Sequence, residues 1–453
     1  MVRTTRKTAL AGIWILAALA LFRWWNATFR VPGVLLWTSV FLVLFLVTAA
    51  FLYGPAFRER NKEVWTPAYV WVGLIVITFI GHMLVPTFRA YDEVVQSVTV
   101  VGALDLAFPL WIGLHTAALV WGPLLRTIIL VALVPAFLLF AWGYMIRMPG
   151  ASHSGTPPPL DQEEREISDR LESHVVALAG QIGERNYLET EKLEDAARYL
   201  ERTLAELGYQ VASQHYEIGS QAFRNLEASL PGREEPNEII VVGAHYDTAE
   251  GAPGADDNGS GTAAVLELAR ILRSEQLART VRFVLFVNEE PPHFNTRHMG
   301  SRVYAARASR RREDIAAMMS IESIGYYSDA ERSQKYPFPF NLFYPKRGDF
   351  IGFVANLTSR SLVRRSIEVF RETTAFPSQG VASPGWIPGV NWSDHASFWL
   401  HGYRAIMISD TAPFRYPFYH TTEDTPDKLD YDRTARVVAG LSRVVRDLAG
   451  VSP

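Results

Sequence analysis

The sequence predicts an α/β domain with a largely parallel central sheet and flanking helices, preceded by an all-helical transmembrane region. Residues 8–147 are mostly apolar and rich in Trp and Phe, whereas residues 160–453 have the composition of an ordinary globular domain. In this second part, short β-rich runs alternate with segments of helical period, which is typical of α/β domains. Charged residues follow several of these runs directly, and open α/β sheets hold their sites at such strand ends.

Length and composition narrow the classes of function. The chain has 453 residues, more than one small core requires, so two or more structural units are expected. Its formal net charge is −3 and no basic block stands out, which argues against a nucleic-acid partner. The absence of cysteine excludes disulfides and thiolate zinc ligands, so any metal must be held by histidines and carboxylates.

The N-terminal part contains apolar segments that approach the roughly 20 residues a helix needs to cross the hydrocarbon core. Residues 106–146 are nearly all apolar and are long enough for two crossings, with a turn near Gly122–Arg126. We therefore predict about five spans; if part of the last stretch lies at the membrane interface, there are about four. The other predicted spans are 8–25, 33–53 and 67–85.

Basic residues near the predicted spans indicate their orientation. Arg3, Arg6 and Lys7 favour a cytoplasmic N-terminus, which also places the basic loop at 58–63 inside. An odd number of spans then places the C-terminal domain outside the cytoplasm, whereas an even number would place it inside. We expect a multi-pass integral membrane protein, in contact with the lipid bilayer, with an extracytoplasmic domain.

The rest of the chain divides into a linker and a folded domain. Residues 148–160 are rich in Gly, Ser, Thr and Pro without periodicity, which predicts a linker. Residues 161–453 carry the α/β pattern. Strands are predicted at 211–218, 223–230, 239–242, 280–287, 316–321 and 403–408, and helices at 163–182, 187–207, 262–272, 299–307, 359–370 and 434–448.

The segment Ile239–Leu272 is the centre of the functional prediction. A buried strand at its start is followed by His245 and Asp247, then by a loop of small residues that holds Asp256 and Asp257, and then by a helix. An imidazole and several carboxylates are therefore crowded at one strand end. Such a cluster is either repulsive or bound to a metal.

Three further groups of the same chemistry occur along the domain. Glu289 and Glu290 follow the strand at 280–287, Glu322 follows the strand at 316–321, and His420 lies near the C-terminus. Because parallel strands bring their carboxyl ends to one edge of the sheet, these distant residues can converge. Two histidines and three carboxylates suffice for two zinc ions if one carboxylate bridges them.

Six motifs carry a resemblance to a known family. In chain order they are GAHYDT, PGADDNGSG, NEE, IESIGYY, SDHASF and YHTTEDT. This series resembles the M28 family of zinc peptidases, of the aminopeptidase Y and leucyl-aminopeptidase type, over roughly Ile167–Val451. The resemblance implies the zinc exopeptidase fold, two Zn²⁺ per chain and a peptide substrate.

The resemblance also implies which residues hold the metals. His245 and Glu322 would bind one ion, and His420 and Glu290 the other. Asp257 would bridge both.

The resemblance also implies roles for Glu289 and Asp247, whereas the role of His395 stays open. Glu289 would be the general base, taking a proton from the attacking water and passing it to the leaving amine. Asp247 would orient the His245 ring through its second nitrogen. His395, in SDHASF, could contact the substrate or support the site.

The sequence departs from the family pattern in two places. Many members carry Asp where Glu322 stands, and the extra methylene shifts the carboxylate. Some members have a Tyr and a local disulfide shortly before the SDH motif, but here the preceding residues are Gly389, Val390, Asn391 and Trp392.

We therefore expect a membrane-anchored dizinc aminopeptidase that hydrolyses N-terminal peptide bonds. Three alternatives remain open at this point: a glutaminyl cyclase, which shares the fold but uses one zinc; a non-catalytic receptor-type member of the fold; and a transporter that uses the membrane spans. The oligomeric state is not predicted.

Overall fold

A computed structural model describes residues 139–337 and 340–450, together with residues 132, 135 and 136. The chain divides into two units, Met1–Ala141 and Trp142–Pro453. The predicted membrane spans lie outside the described residues, except for the C-terminal end of the last one. Within the described part of the chain, no helix combines the length and the apolar character that a membrane crossing requires. The number of spans and their orientation stay predictions.

The described residues form an eight-stranded sheet in the order β1-β2-β4-β3-β5-β8-β6-β7. The six predicted strands are present, and two short strands, β6 and β7, were not predicted. In chain order the strands are β1 Val211–Ile218, β2 Gln221–Leu230, β3 Glu235–His245, β4 Arg279–Phe286, β5 Asp314–Glu322, β6 Ile351–Ala355, β7 Ser378–Ala382 and β8 Ala405–Ser409.

The sheet is parallel at its centre and mixed at its edges. The strands β4, β3, β5 and β8 run parallel to one another. On one side β2 is antiparallel to β4 and β1 to β2, and on the other side β6 is antiparallel to β8 while β7 is parallel to β6. The prediction of a parallel sheet thus applies to the central four strands, whose carboxyl ends meet at one edge.

Helices cover both faces of the sheet, as predicted. They are α1 Gln162–Val175 (continued by a π-helical turn, Val176–Ile182), α2 Thr190–Glu206, α3 Gly261–Leu272, α4 Gly300–Arg311, α5 Arg360–Thr373, α6 His395–Trp399, α7 Ala412–Arg415 and α8 Tyr431–Ala449. On one face the apolar sides of α1, α2, α3, α5 and α8 share a single core, and on the other face α4 and α6 pack over a smaller one.

Successive side chains of β3 alternate between the larger and the smaller core. Ile240 and Val242 belong to the larger core, whereas Ile239 and Val241 belong to the smaller one. Successive side chains of a strand point to opposite faces, so a run of apolar residues fills both layers at once. The strand is therefore buried on both faces, and its C-terminal residue, His245, is fixed at the sheet edge.

The segment predicted to be a linker, residues 148–160, forms neither helix nor strand. It is nevertheless bound along the domain. Arg371 of α5 donates a hydrogen bond to the carbonyl of Pro149, and Arg436 of α8 donates one to the carbonyl of Pro158.

Candidate metal centre

The first candidate metal group lies where two central strands end side by side. His245 is the last residue of β3 and Glu322 the last residue of β5. The Nε2 atom of His245 lies 3.3 Å from Glu322 Oε2 and 3.3 Å from Asp257 Oδ1. These three residues could together hold one metal ion.

The second candidate group shares Asp257 with the first. Its other carboxylate oxygen, Oδ2, lies 3.0 Å from His420 Nε2, and His420 Nε2 lies 3.2 Å from Glu290 Oε1. Asp257, Glu290 and His420 could together hold a second ion. One carboxylate thus faces two imidazoles, one with each oxygen, and this is the arrangement that a bridging ligand requires.

The loop that carries Asp257 is tied to the end of β5 through Asn258. The Asn258 amide nitrogen donates to the carbonyl of Ile321 at 2.8 Å, and its oxygen accepts from the amides of Gly261 and Ser323. A Cβ atom at Gly261 would come within 2.4 Å of the Ile321 carbonyl oxygen, so only glycine allows α3 to begin this close to the strand.

A buried carboxylate, that of Asp424, also holds this loop. Asp424 accepts hydrogen bonds from the amides of Asp256 at 2.9 Å and Asp257 at 3.2 Å, one with each oxygen, and a further one from the Tyr416 hydroxyl. Asp424 lies four residues after His420. The segment that supplies one imidazole therefore also positions the shared carboxylate.

Asp247 has a similar relation to the residues after β4. Its carboxylate oxygens accept hydrogen bonds from the amides of Glu289 and Glu290, each at 3.1 Å. The Nδ1 atom of His245 lies 3.2 Å from the Asp247 carbonyl and 3.6 Å from its carboxylate. The main-chain carbonyl is thus the nearer partner of the ring, and the carboxylate chiefly fixes the two glutamates.

Glu322 is oriented by two serines. Its Oε2 atom accepts a hydrogen bond from Ser393 at 2.7 Å and its Oε1 atom accepts one from Ser323 at 3.1 Å. Ser393 belongs to the SDHASF motif, but its role was not predicted. With these two donors the longer glutamate side chain is held toward His245.

The histidines and carboxylates of the two candidate groups stabilise one another's charges. Although burial lowers it, the pKa of His245 is raised well above its ordinary value, chiefly by Glu322 and Glu289. Burial also opposes charge on His420, but Glu290 and Asp257 raise its pKa to about 11. Burial alone would raise the pKa of Asp257, yet the two imidazoles hold it below its usual range.

The donor set fits metal ions. Asp257, Glu289 and Glu290 are all about 95% buried, and burial raises the pKa of Glu290 to about 7. Glu290 Oε1 is buried and lies 3.2 Å from His420 Nε2, which is also close to Asp257. Unpaired buried carboxylates are costly, and divalent cations coordinated by imidazole and carboxylate are a common way to compensate them.

Comparison with known sequences adds evidence that is independent of the geometry. The model of peptidase family M28 matches residues 225–445, which contain both candidate groups. The chain is 36% identical over 282 residues to the uncharacterized protein YfbL of Escherichia coli (strain K12), covering 60% of this chain and 86% of that protein. The chain belongs to peptidase family M28.

The chain is also similar, at lower identity, to two aminopeptidases. Leucine aminopeptidase 1 of Ajellomyces capsulatus (strain H88) is 28% identical over 231 residues, and the match covers 47% of this chain and 54% of that protein. The zinc aminopeptidase BSAP of Bacillus subtilis has a similar fold, with a TM-score of 0.51 and 15% identity, covering 62% of this chain and 94% of that structure. The α/β arrangement is thus that of the zinc aminopeptidases.

In this M28 chain a largely apolar pocket adjoins the candidate metal centre. Glu322 and Tyr419, the neighbour of His420, line it, and its cavity volume is about 100 Å³. Most of its lining is apolar, and it includes Tyr336, Phe340, Tyr344, Phe353, Trp392 and Phe414.

His395 lies inside the domain rather than on the pocket surface. It is fully buried, its Nε2 atom donates to the carbonyl of Val390 at 2.8 Å, and its ring packs edge-on against Trp399. Burial lowers the pKa of His395 to about 4, so the ring is neutral at pH 7. Since Val390 lines the pocket, His395 supports the pocket wall from behind.

Proposed function

We propose that this M28 chain is a dizinc metallo-exopeptidase, specifically an aminopeptidase that hydrolyses N-terminal peptide bonds. The observation that carries the proposal is the pair of His–carboxylate groups joined by Asp257. His245 and Glu322 would hold one zinc ion, His420 and Glu290 the other, and Asp257 both. When bound, zinc ions in such a pair supply Lewis acidity and lower the pKa of a coordinated water to about 7.

Glu289 is the proposed proton carrier. Burial, opposed by His245, raises the pKa of Glu289 well above its usual range, which favours the protonated form that a general base reaches when it accepts a proton. Its carboxylate takes a proton from the attacking water and delivers it to the nitrogen of the leaving amine. Its Oε2 atom lies 4.0 Å from His245 Nε2, so it borders the metal group.

The fixed main chain around Glu289 supports this role. Asp247 holds the amides of both Glu289 and Glu290, so the proposed base and one metal ligand are positioned by the same carboxylate. A base must lie within hydrogen-bond reach of the proton it abstracts, and a rigid support maintains that distance.

The apolar pocket is the proposed site for the side chain of the substrate's first residue. It begins at Glu322 and Tyr419, beside both candidate groups, and its lining is predominantly aromatic and aliphatic. A large apolar side chain would fill it best. We therefore propose that peptides with an aromatic or large aliphatic N-terminal residue are the preferred substrates.

We also propose that residues 1–147 anchor the enzyme in the membrane as a multi-pass segment and that the peptidase domain is extracytoplasmic. The apolar composition of residues 8–147 and the basic residues at the N-terminus support this proposal. Retention in the membrane fraction after alkaline carbonate washing, with cleavage of the domain by protease added outside intact cells, would test both parts.

A panel of aminoacyl fluorogenic amides tests the activity, run with and without a chelator. N-acetylated versions of the same compounds are the matched controls, since an aminopeptidase requires a free N-terminal amine. We expect hydrolysis of the free-amine compounds only, loss of activity on chelation and recovery with Zn²⁺. Two zinc ions per chain are expected in purified protein, whereas one zinc with cyclisation of N-terminal glutamine would identify a glutaminyl cyclase instead.

A further inference from the structure

One wall of the apolar pocket is formed by β7, the outermost strand of the sheet. Gln379, Gly380 and Val381 of β7 line the pocket. Within the described part of the chain, β7 has β6 on one side and no strand on the other. An edge strand presents unpaired N–H and C=O groups, and covering the edge is one way in which proteins protect it.

Residues 142–152, which we call the strap, provide that cover. The strap begins with a π-helical turn at Trp142–Ile146 and continues without regular structure, with a bend at Pro149 and Gly150. Ser152 Oγ accepts a hydrogen bond from the amide of Ser378, the first residue of β7, at 2.9 Å. The strap thus contacts the main chain of the edge strand directly.

Three arginines of α5 bind the strap through its main-chain carbonyls. Arg360 donates to Tyr144 at 2.7 Å and Arg364 to Arg147 at 2.7 Å. Arg371 donates to Pro149 at 2.8 Å and to the carbonyl of Ser378 at 2.8 Å. Since residues four and seven apart share one face of a helix, the three guanidinium groups form a row along α5.

Side chains of the strap pack on both sides of β7. Ile146 packs against the cluster of Phe340, Val381, Ile387 and Val390, three members of which line the pocket. On the other side of the strand, a Cβ atom at Gly380 would lie 2.8 Å from Met148 Cγ, so Met148 is in close contact with the strand backbone. The Gly380 carbonyl in turn accepts from the hydroxyl of Tyr344, another pocket residue.

We propose that the strap is a specificity-determining part of the substrate pocket, with Ile146 and Met148 as positioning residues that hold β7 in place. This inference rests on the proposed aminopeptidase function. Selection for a large apolar first residue depends on a fixed pocket wall, because an apolar side chain gains binding free energy only where the wall contacts it closely. The metal centre lies at the carboxyl ends of β3 and β5 and does not depend on the strap.

The test compares full-length variants Ile146→Ala, Met148→Ala and Arg364→Ala with the wild-type chain. The ratio of kcat/KM for phenylalanyl amide to that for alanyl amide should fall by roughly tenfold in the first two variants and less in the third, with unchanged zinc content. Hydrogen exchange at the amides of β7 should become faster, while exchange at β8 stays unchanged. Arg165→Ala is the matched control, because Arg165 makes a similar contact with the carbonyl of Leu160 at the far end of the linker.

The outcomes separate this inference from the proposed function. A wild-type chain that cleaves none of the aminoacyl amides would overturn the aminopeptidase proposal itself. A cleaving wild-type chain, together with strap variants whose selectivity ratio and β7 exchange match those of Arg165→Ala, would overturn only the role of the strap.

Discussion

The carboxylate of Asp424 holds the main chain of Asp257, with 3.2 Å between Oδ2 and the Asp257 amide nitrogen. Its other oxygen accepts from the Asp256 amide at 2.9 Å. Asp257 is the one residue that both candidate metal groups share. Its position therefore depends on a buried carboxylate that contacts neither imidazole.

Replacing Asp424 should impair both metal groups at once. In Asp424→Asn the amide nitrogen would face one of the two main-chain donors, so one hydrogen bond is lost. We expect zinc affinity and activity to fall by roughly 10- to 100-fold, the usual effect of losing a supporting hydrogen bond at a metal site. Zinc titration measures this change, and Glu423→Gln, at the exposed neighbouring position, is the control. Equal zinc affinity in the two variants would contradict this dependence.

Glu289→Gln should separate metal binding from turnover. The variant keeps the size of the side chain and the main-chain bond to Asp247 but cannot accept a proton. General base catalysis typically contributes about 10²–10⁴-fold, so kcat should fall by at least that range. Metal analysis should still find the wild-type zinc content. Near-normal turnover would remove Glu289 from the proposed role.

Because both candidate groups use Asp257, replacing it should cost more bound zinc than replacing a ligand of one group. Asp257→Asn removes the carboxylate charge that both groups use and should lower occupancy at both sites. His420→Ala removes a ligand of one group only, and should leave about one zinc per chain bound by His245, Asp257 and Glu322. Metal analysis after dialysis against a weak chelator distinguishes the two patterns. Full occupancy in both variants would argue against these ligands.

Zinc binding should release protons and strengthen as the pH rises. In the chain without metal, the neighbouring carboxylates raise the pKa of His245 well above its usual value and that of His420 to about 11. Both imidazoles therefore carry a proton at pH 7, and each must lose it to bind a metal. We expect release of on the order of two protons per chain on full loading. Calorimetry in buffers of different ionisation enthalpy measures this number, and identical heats in all buffers would rule it out.

Arg185 should be important for the loop between β3 and α3. It is fully buried and donates to five main-chain carbonyls, those of Leu178, Gly183, Tyr246, Pro253 and Gly254. Burial lowers the pKa of Arg185 to about 10, so it remains charged at pH 7.

Arg185→Met would leave several of these buried acceptors unpaired, at about 1–3 kcal/mol each. We expect the free energy of unfolding to fall by about 3 kcal/mol or more. Chemical denaturation of the chelated protein measures it, with Arg198→Met on the exposed face of α2 as the control. A change no larger than that of the control would show that the loop does not depend on Arg185.

Site residues could be predicted from the sequence where they stand at the end of a predicted strand. His245 and Glu322 terminate strands that are recognisable by their apolar runs, and the parallel direction of those strands places the two residues side by side. The position of His420, which lies in a segment without regular structure, came from the family motif rather than from periodicity. Strand ends and motifs together therefore located both candidate groups.

Other parts of the structure could not be predicted, because no sequence pattern indicates them. The strands β6 and β7 are five residues long and each contains a glycine, so they look like loops. Asp424 and Arg185 act on main-chain groups, and Ser393 orients a ligand across the fold. Such contacts depend on three-dimensional proximity, which residue spacing does not encode.

The covering of β7 also bears on how a shorter protein would behave. A shortened version cut at the domain boundary that the sequence predicts, near residue 160, would lack Ser152 and the carbonyls that α5 binds. In this shortened protein the edge of β7 would be exposed and could pair with a second molecule. A cut before Trp142 would retain the strap. Such a protein should remain monodisperse at concentrations where the shorter one self-associates.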